Sequence, residues 1–116
     1  MFETAVPNPV ALEDLPEEVT NNDYITLKWT EPKSNGAPVT HYTPYYRIVT
    51  SRGPGEWTEL KMKDALQLLL RVKVNRGKTY EFVVTASNSR RESDKENIKR
   101  VNVLGKLQLL LLHVFG

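Results

Sequence analysis

From Tyr24 to Thr30 apolar and polar residues alternate: Ile25, Leu27 and Trp29 share one face, and Thr26, Lys28 and Thr30 the other. A period of two predicts a strand with one face in a core and the other in water. Residues 39–49 read as a second strand, with Val39, Tyr42 and Tyr46 as its large residues, and residues 57–62 as a short third. The longest alternation runs over 66–74, where Leu66, Leu68, Leu70, Val72 and Val74 are expected to point in and Gln67, Leu69, Arg71 and Lys73 out. Further on, Tyr80, Phe82, Val84 and Ala86 are expected inside, with Glu81, Val83, Thr85 and Ser87 outside, and residues 98–104 read as a last strand.

Turn signals separate these runs. Pro7, Pro9 and Pro16 make residues 5–16 an extended linker or edge strand and exclude a helix there. Asn21-Asn22-Asp23, Asn35-Gly36, Arg52-Gly53-Pro54-Gly55 and Asn75-Arg76-Gly77-Lys78 each predict a turn, and residues 88–95 a polar loop. About seven short strands with no helical period predict an all-β domain, a seven-stranded antiparallel two-sheet sandwich whose inner faces form the core. Trp29, Tyr42, Leu70, Tyr80, Phe82 and Val84 are its expected core residues, because large side chains supply the most burial.

Composition narrows the class. With 116 residues, 40% hydrophobic and 26% charged, the chain suits one soluble domain and is too short for an enzyme with an interdomain cleft. Cysteine is absent, so disulfides, thiolate metal sites and cysteine nucleophiles are excluded. A net charge of +2 is too small to imply a nucleic-acid partner. The charge is nonetheless uneven. Residues 1–23 carry six acids and no base, whereas the remainder has a net charge of +8. Loose pairing of an acidic segment with a basic body explains this, and so does a basic face for an anionic partner. Met1-Phe2-Glu3-Thr4 has neither the basic nor the apolar region of a secretory signal, and there is no Asn-x-Ser/Thr sequon. The chain therefore reads as cytosolic, or as a segment of a larger secreted protein. The apolar run Leu107–Phe115 is about half the ~20 residues a membrane helix needs, so no direct membrane insertion of the domain is expected. It reads as an accessory or non-native extension over 105–116, with an N-terminal extension over 1–6 and the domain over 7–104.

Catalytic chemistry is sparse. His41 falls on an outer strand face and His113 in the apolar run, neither with a second ligand at metal spacing. Carboxylates occur singly along loops, no glycine-rich phosphate loop leads into a helix, and no serine or threonine has a recognisable activating histidine. Neither enzymatic activity nor a cofactor is expected.

Several stretches resemble one family. Ile25-Thr26-Leu27-Lys28-Trp29-Thr30-Glu31-Pro32 resembles the B strand of fibronectin type III domains. Gly36-Ala37-Pro38-Val39-Thr40-His41-Tyr42 with Tyr46-Arg47 resembles the C strand. Residues 74–88 are similar to the E–F corner and F strand, and Glu92-Ser93 to the end of the F–G loop. The resemblance spans roughly residues 7–104 and implies an immunoglobulin-like sandwich. It also implies that Tyr80 is a tyrosine corner, its hydroxyl tied to backbone a few residues upstream. Three departures from the family matter: Arg76 stands where Pro is usual, with Val74 for Leu, and Arg91 where Gly is common. The third is Pro44, on the inner face of a central strand, which implies a bulge at Thr43-Pro44 or a shifted register.

The resemblance implies a non-catalytic interaction or adhesion module of a cell-surface receptor or extracellular protein, or else an intracellular cytoskeletal or sarcomeric scaffold module. It implies three candidate surfaces for neighbouring domains, other proteins or a glycan. The F–G loop offers Arg90, Arg91 and Glu92. The outer face of strands C and F offers Tyr45, Arg47 and Val83, beside His41 and Glu81. If strands B and E are neighbours, Lys28, Arg71 and Lys73 gather as a basic patch suited to a sulfated glycan, although lysines on exposed strands also serve simply to block edge pairing.

Overall fold

The structure, a computed structural model of the chain, describes residues 5–105. The apolar run Leu107–Phe115 and His113 lie outside those residues. Among the described residues there are eight strands: β1 (Glu18–Thr20), β2 (Tyr24–Lys28), β3 (His41–Thr50), β4 (Gly53–Pro54), β5 (Thr58–Glu59), β6 (Leu69–Lys73), β7 (Lys78–Ser87) and β8 (Lys99–Leu104). One sheet has the order β1-β8-β7-β3-β4, with β5 also pairing β3; the other is β2-β6. A bridge from Leu12 to Trp29 adds the N-terminal segment to the free side of β2. Pairings are antiparallel except β1 with β8.

The fold is the expected two-sheet sandwich, with eight strands instead of seven. The difference lies in short pieces. Glu18–Thr20 forms a strand that the sequence reading passed over, and Gly53–Pro54, read as turn, pairs with Val49 and Thr50 around Ser51-Arg52. The stretch 57–62 contributes only the two residues of β5. Asn21, Asn35 and Gly36, all in the expected turns, hold the left-handed backbone that Asn and Gly accept.

The core lies between the sheets. Ile25, Leu27 and Trp29 enter it from β2 and its extension, Val72 and Val74 from β6 and the residue beyond, and Tyr42, Tyr80, Phe82, Val84, Val101 and Val103 from the facing sheet. Leu70 is half-buried and packs against this cluster. Trp29 meets Tyr42 edge-on at 5.9 Å, and Tyr80 stacks on Phe82 at 5.7 Å. Full burial of each such side chain stabilises by about 1.5–3 kcal/mol. Val10 and Leu12, in the proline-rich segment, are also buried and close the edge of the core. Trp29 Nε1 is buried with no hydrogen-bond partner among the described residues.

Two expectations about side-chain direction are corrected. Leu66 and Leu68, expected inside, are 52% and 42% exposed. Asp64 is the reason: its Oδ1 accepts from the Leu66 N–H and its carbonyl from the Gln67 N–H, while the Gln67 side chain accepts from the Asp64 N–H. That knot turns the chain, so the strand begins only at Leu69. On β7 the outer row is not wet: Glu81, Val83, Thr85 and Ser87 are all buried. β7 is flanked by β3 and β8, and its outer row is covered by what its neighbours and the 88–95 loop lay across it.

Pro44 produces no bulge. The register of β3 against β7 is continuous from His41↔Ser87 to Val49↔Thr79, with the fully buried Pro44 opposite Val84. The Pro44 carbonyl accepts from the Leu60 N–H. In a strand the N–H and C=O of one residue project to the same side. The missing donor therefore faces the short edge strand and not the long ladder with β7, which is where a sheet tolerates proline.

Candidate interaction surfaces

The 88–95 loop is polar but pinned at each side. Asn88 Nδ2 donates to the carbonyls of Ala5 and Ser34, and Asn88 Oδ1 accepts from the N–H groups of Arg90 and Arg91. Ser93 donates its N–H to the Ala86 carbonyl, and its Oγ accepts from the Ala86 N–H. Glu92 Oε2 accepts from the Tyr45 hydroxyl and from Thr85 Oγ1, both at 2.5 Å. Lys95 Nζ lies 4.3 Å over the Tyr45 ring. Burial alone would push the Glu92 carboxyl up. The hydrogen bonds from Thr85 and Tyr45, with the charges of Lys95 and His41, outweigh it and hold the group below its ordinary value. Burial and the neighbouring carboxylate push the Tyr45 phenol up to about 12. Of the loop residues named from the sequence, Glu92 is thus a structural clamp, while Arg90 and Arg91 stand exposed. Arg91 is not among the residues of positive φ, so replacing the family's glycine there introduces no strain.

On the outer face of β3 and β7, Tyr45 lies opposite Val83 and Arg47 opposite Glu81. Val83 was expected to line a surface but is completely buried. Arg47 Nε reaches Glu81 Oε1 at 2.8 Å while its guanidinium lies 4.0 Å from the Trp57 ring centre, and Arg100 reaches Glu81 Oε2 at 3.1 Å. The polar groups of this face are engaged with one another. Trp57 follows β4 and lies across Arg47 of β3.

On the outer face of the small sheet, Tyr24 lies opposite Lys73, Thr26 opposite Arg71 and Lys28 opposite Leu69. Lys28, Arg71 and Lys73 are brought together as expected, all exposed, and none pairs with a carboxylate among the described residues. Tyr24 joins them, its ring 3.7 Å from the Arg71 guanidinium carbon. The signal was present, since Tyr24 shares the parity of Thr26 and Lys28.

The corner assignment is met: the Asn75 N–H donates to the Tyr80 hydroxyl at 2.8 Å. Arg76, at the family's proline position, pairs with Asp23 at 3.2 Å. Among the described residues no three or more His, Asp or Glu side chains gather to hold a metal.

Two sheets of this order, a tyrosine corner and a packed interior define an immunoglobulin-like β-sandwich module. The particular fold is that of fibronectin type III domains. The chain is similar to the twitchin kinase region of C. elegans, at TM-score 0.69 and 23% identity over 88% of this chain and 17% of that one. It is similar to the FN1–FN3 domains of chicken CNTN1, at TM-score 0.64 and 19% identity over 85% and 33%. Module A71 of titin from human cardiac muscle matches at TM-score 0.59 and 21% identity, over 84% of this chain and 88% of that module. The chain thus spans 17% and 33% of the first two structures, each a run of several units. No protein-family model matches the sequence.

Proposed function

We propose that the chain is a non-catalytic interaction module, a rigid spacer presenting its 88–95 loop within a larger cell-surface or extracellular protein. The observation that carries this reading is the clamped loop: Asn88, Glu92 and Ser93 fix its base while Arg90 and Arg91 project from it. A loop ordered before docking loses less conformational freedom on binding, and arginine is enriched at interfaces. The likeness to a run of CNTN1 domains supports a place in an array. A second reading, an intracellular cytoskeletal or sarcomeric scaffold module, draws support from the titin and twitchin likenesses.

The test is attachment of cells to surfaces coated with the whole chain. The unaltered chain is expected to hold cells, and Arg90→Glu with Arg91→Glu to weaken attachment by about tenfold, the factor that 1.4 kcal/mol of lost binding produces. The melting temperature is expected to stay unchanged. Equal attachment by both proteins would overturn the role of the loop. Co-sedimentation with cytoskeletal filaments, without cell attachment, would favour the second reading.

A further inference from the structure

The free edge of the small sheet is β6, and its hydrogen-bond phase is fixed at both ends. The Trp29 N–H donates to the Leu68 carbonyl at 3.1 Å, and the Val74 N–H to the Asp23 carbonyl at 2.8 Å. Antiparallel pairing alternates, so Leu70 and Val72 bond β2 while the backbone groups of Leu69, Arg71 and Lys73 point outward. The Leu69 carbonyl is taken by Gln67 Nε2 at 2.6 Å. Among the described residues, no other element pairs with Arg71 or Lys73 on that side.

Beside this edge runs an open groove of about 320 Å³ where the two sheets part. Its floor is Tyr46, Leu70 and Tyr80, and its rim carries Lys61, Arg71 and Lys73. None of these three cations has a carboxylate partner among the described residues. Cationic edges commonly serve only to prevent pairing. Here they prevent it selectively. A second copy would set Arg71 and Lys73 against their own kind, which is unfavourable across a strand pair. Residues 106–116 contain no Asp or Glu to offer them. A sulfated glycan would meet the charges but leave the apolar floor and the backbone groups unused.

We propose that β6 is a docking edge for an extended peptide of alternating apolar and acidic residues from a partner protein, added as a further strand to the β2-β6 sheet. Side chains alternate across a strand. One row of the peptide lies over Tyr46 and Leu70, and its carboxylates meet Arg71 and Lys73, while main-chain hydrogen bonds supply affinity as in other strand additions. This site is separate from Arg90 and Arg91, so it stands or falls independently of the 88–95 loop.

The experiment titrates the whole chain with a synthetic peptide of alternating Glu and Val and follows backbone amides by NMR. The expected result is shifted resonances and new exchange protection at the Arg71 and Lys73 amides. Binding is expected to fall about tenfold or more in Arg71→Glu with Lys73→Glu, both at exposed positions, and to be unchanged in Arg90→Glu with Arg91→Glu. The milder Arg71→Ala with Lys73→Ala pair provides the same comparison if the reversed pair fails to fold. The same peptide N-methylated at every residue keeps its charge but has no N–H to donate, and is expected not to bind. Equal binding of that peptide would overturn the proposal, as would amides already protected in the free chain. So would retention of heparin oligosaccharide with no protection of these amides by the peptide.

Discussion

The hydroxyl of Tyr45 donates to the carboxylate of Glu92 across 47 residues of sequence, at 2.5 Å. The bond ties the loop after β7 to the middle of β3 and gives stability a pH dependence with a known sign. Glu92 has a lowered folded pKa, so its contribution is present above its ordinary, unfolded value and is lost as pH falls through the folded one. Melting temperature measured from neutral into acid is expected to decline, and Glu92→Gln to flatten that decline. An acid limb identical in the two proteins would count against the clamp.

At the alkaline end the phenol carries the signal. Tyr45 is raised to about 12, so its contribution is complete below the ordinary tyrosine value and lost as pH rises from there through about 12. Spectrophotometric titration is expected to show a late-ionising tyrosine that is missing from Tyr45→Phe.

Tyr80→Phe removes the acceptor of the Asn75 N–H and nothing else from the stack on Phe82. The expected loss is about 1 kcal/mol, the usual worth of such a bond. For a domain of this size that lowers the melting temperature by about 4–8 °C. An unchanged melt would remove the corner from the list of stabilising features.

Val83→Ala distinguishes a buried outer row from a surface one. A surface position is expected to respond within about 0.5 kcal/mol, whereas loss of two buried methyl carbons and the void they leave costs roughly 2 kcal/mol. Denaturant unfolding is expected to give the larger figure.

Pro44→Val restores a donor on the side facing Leu60. A protected amide at position 44 in hydrogen exchange, with the β3·β7 register intact, is the expected outcome. An unprotected amide would mean that the missing donor faces somewhere else.

The alternation over Tyr24–Thr30 was read correctly because that strand has one face wholly in the core and one wholly in water, the condition a period of two encodes. Leu66 and Leu68 obey the same period and are exposed, because the Asp64 and Gln67 bonds end the strand before the period does. Val83 and Glu81 obey it too and are buried. Tyr45 lies opposite Val83, and Arg47 and Arg100 engage Glu81, with Trp57 against Arg47 and Lys95 over Tyr45; all of these lie far from Val83 and Glu81 in sequence or across the sheet. The basic trio Lys28, Arg71 and Lys73 was legible once β2 and β6 were taken as neighbours. The free backbone edge beside it was not, because which amides point outward depends on the phase of the ladder.

The main strands β2, β3, β6, β7 and β8 and the inward set around Trp29 and Tyr80 were determined by local pattern, since a strand's period is written in adjacent residues, and composition alone excluded cysteine chemistry. Which outer faces stay wet, which charges remain unpaired and where Pro44 leaves its missing donor were decided by tertiary structure. Those properties depend on contacts between residues separated by tens of positions, and no local period records them.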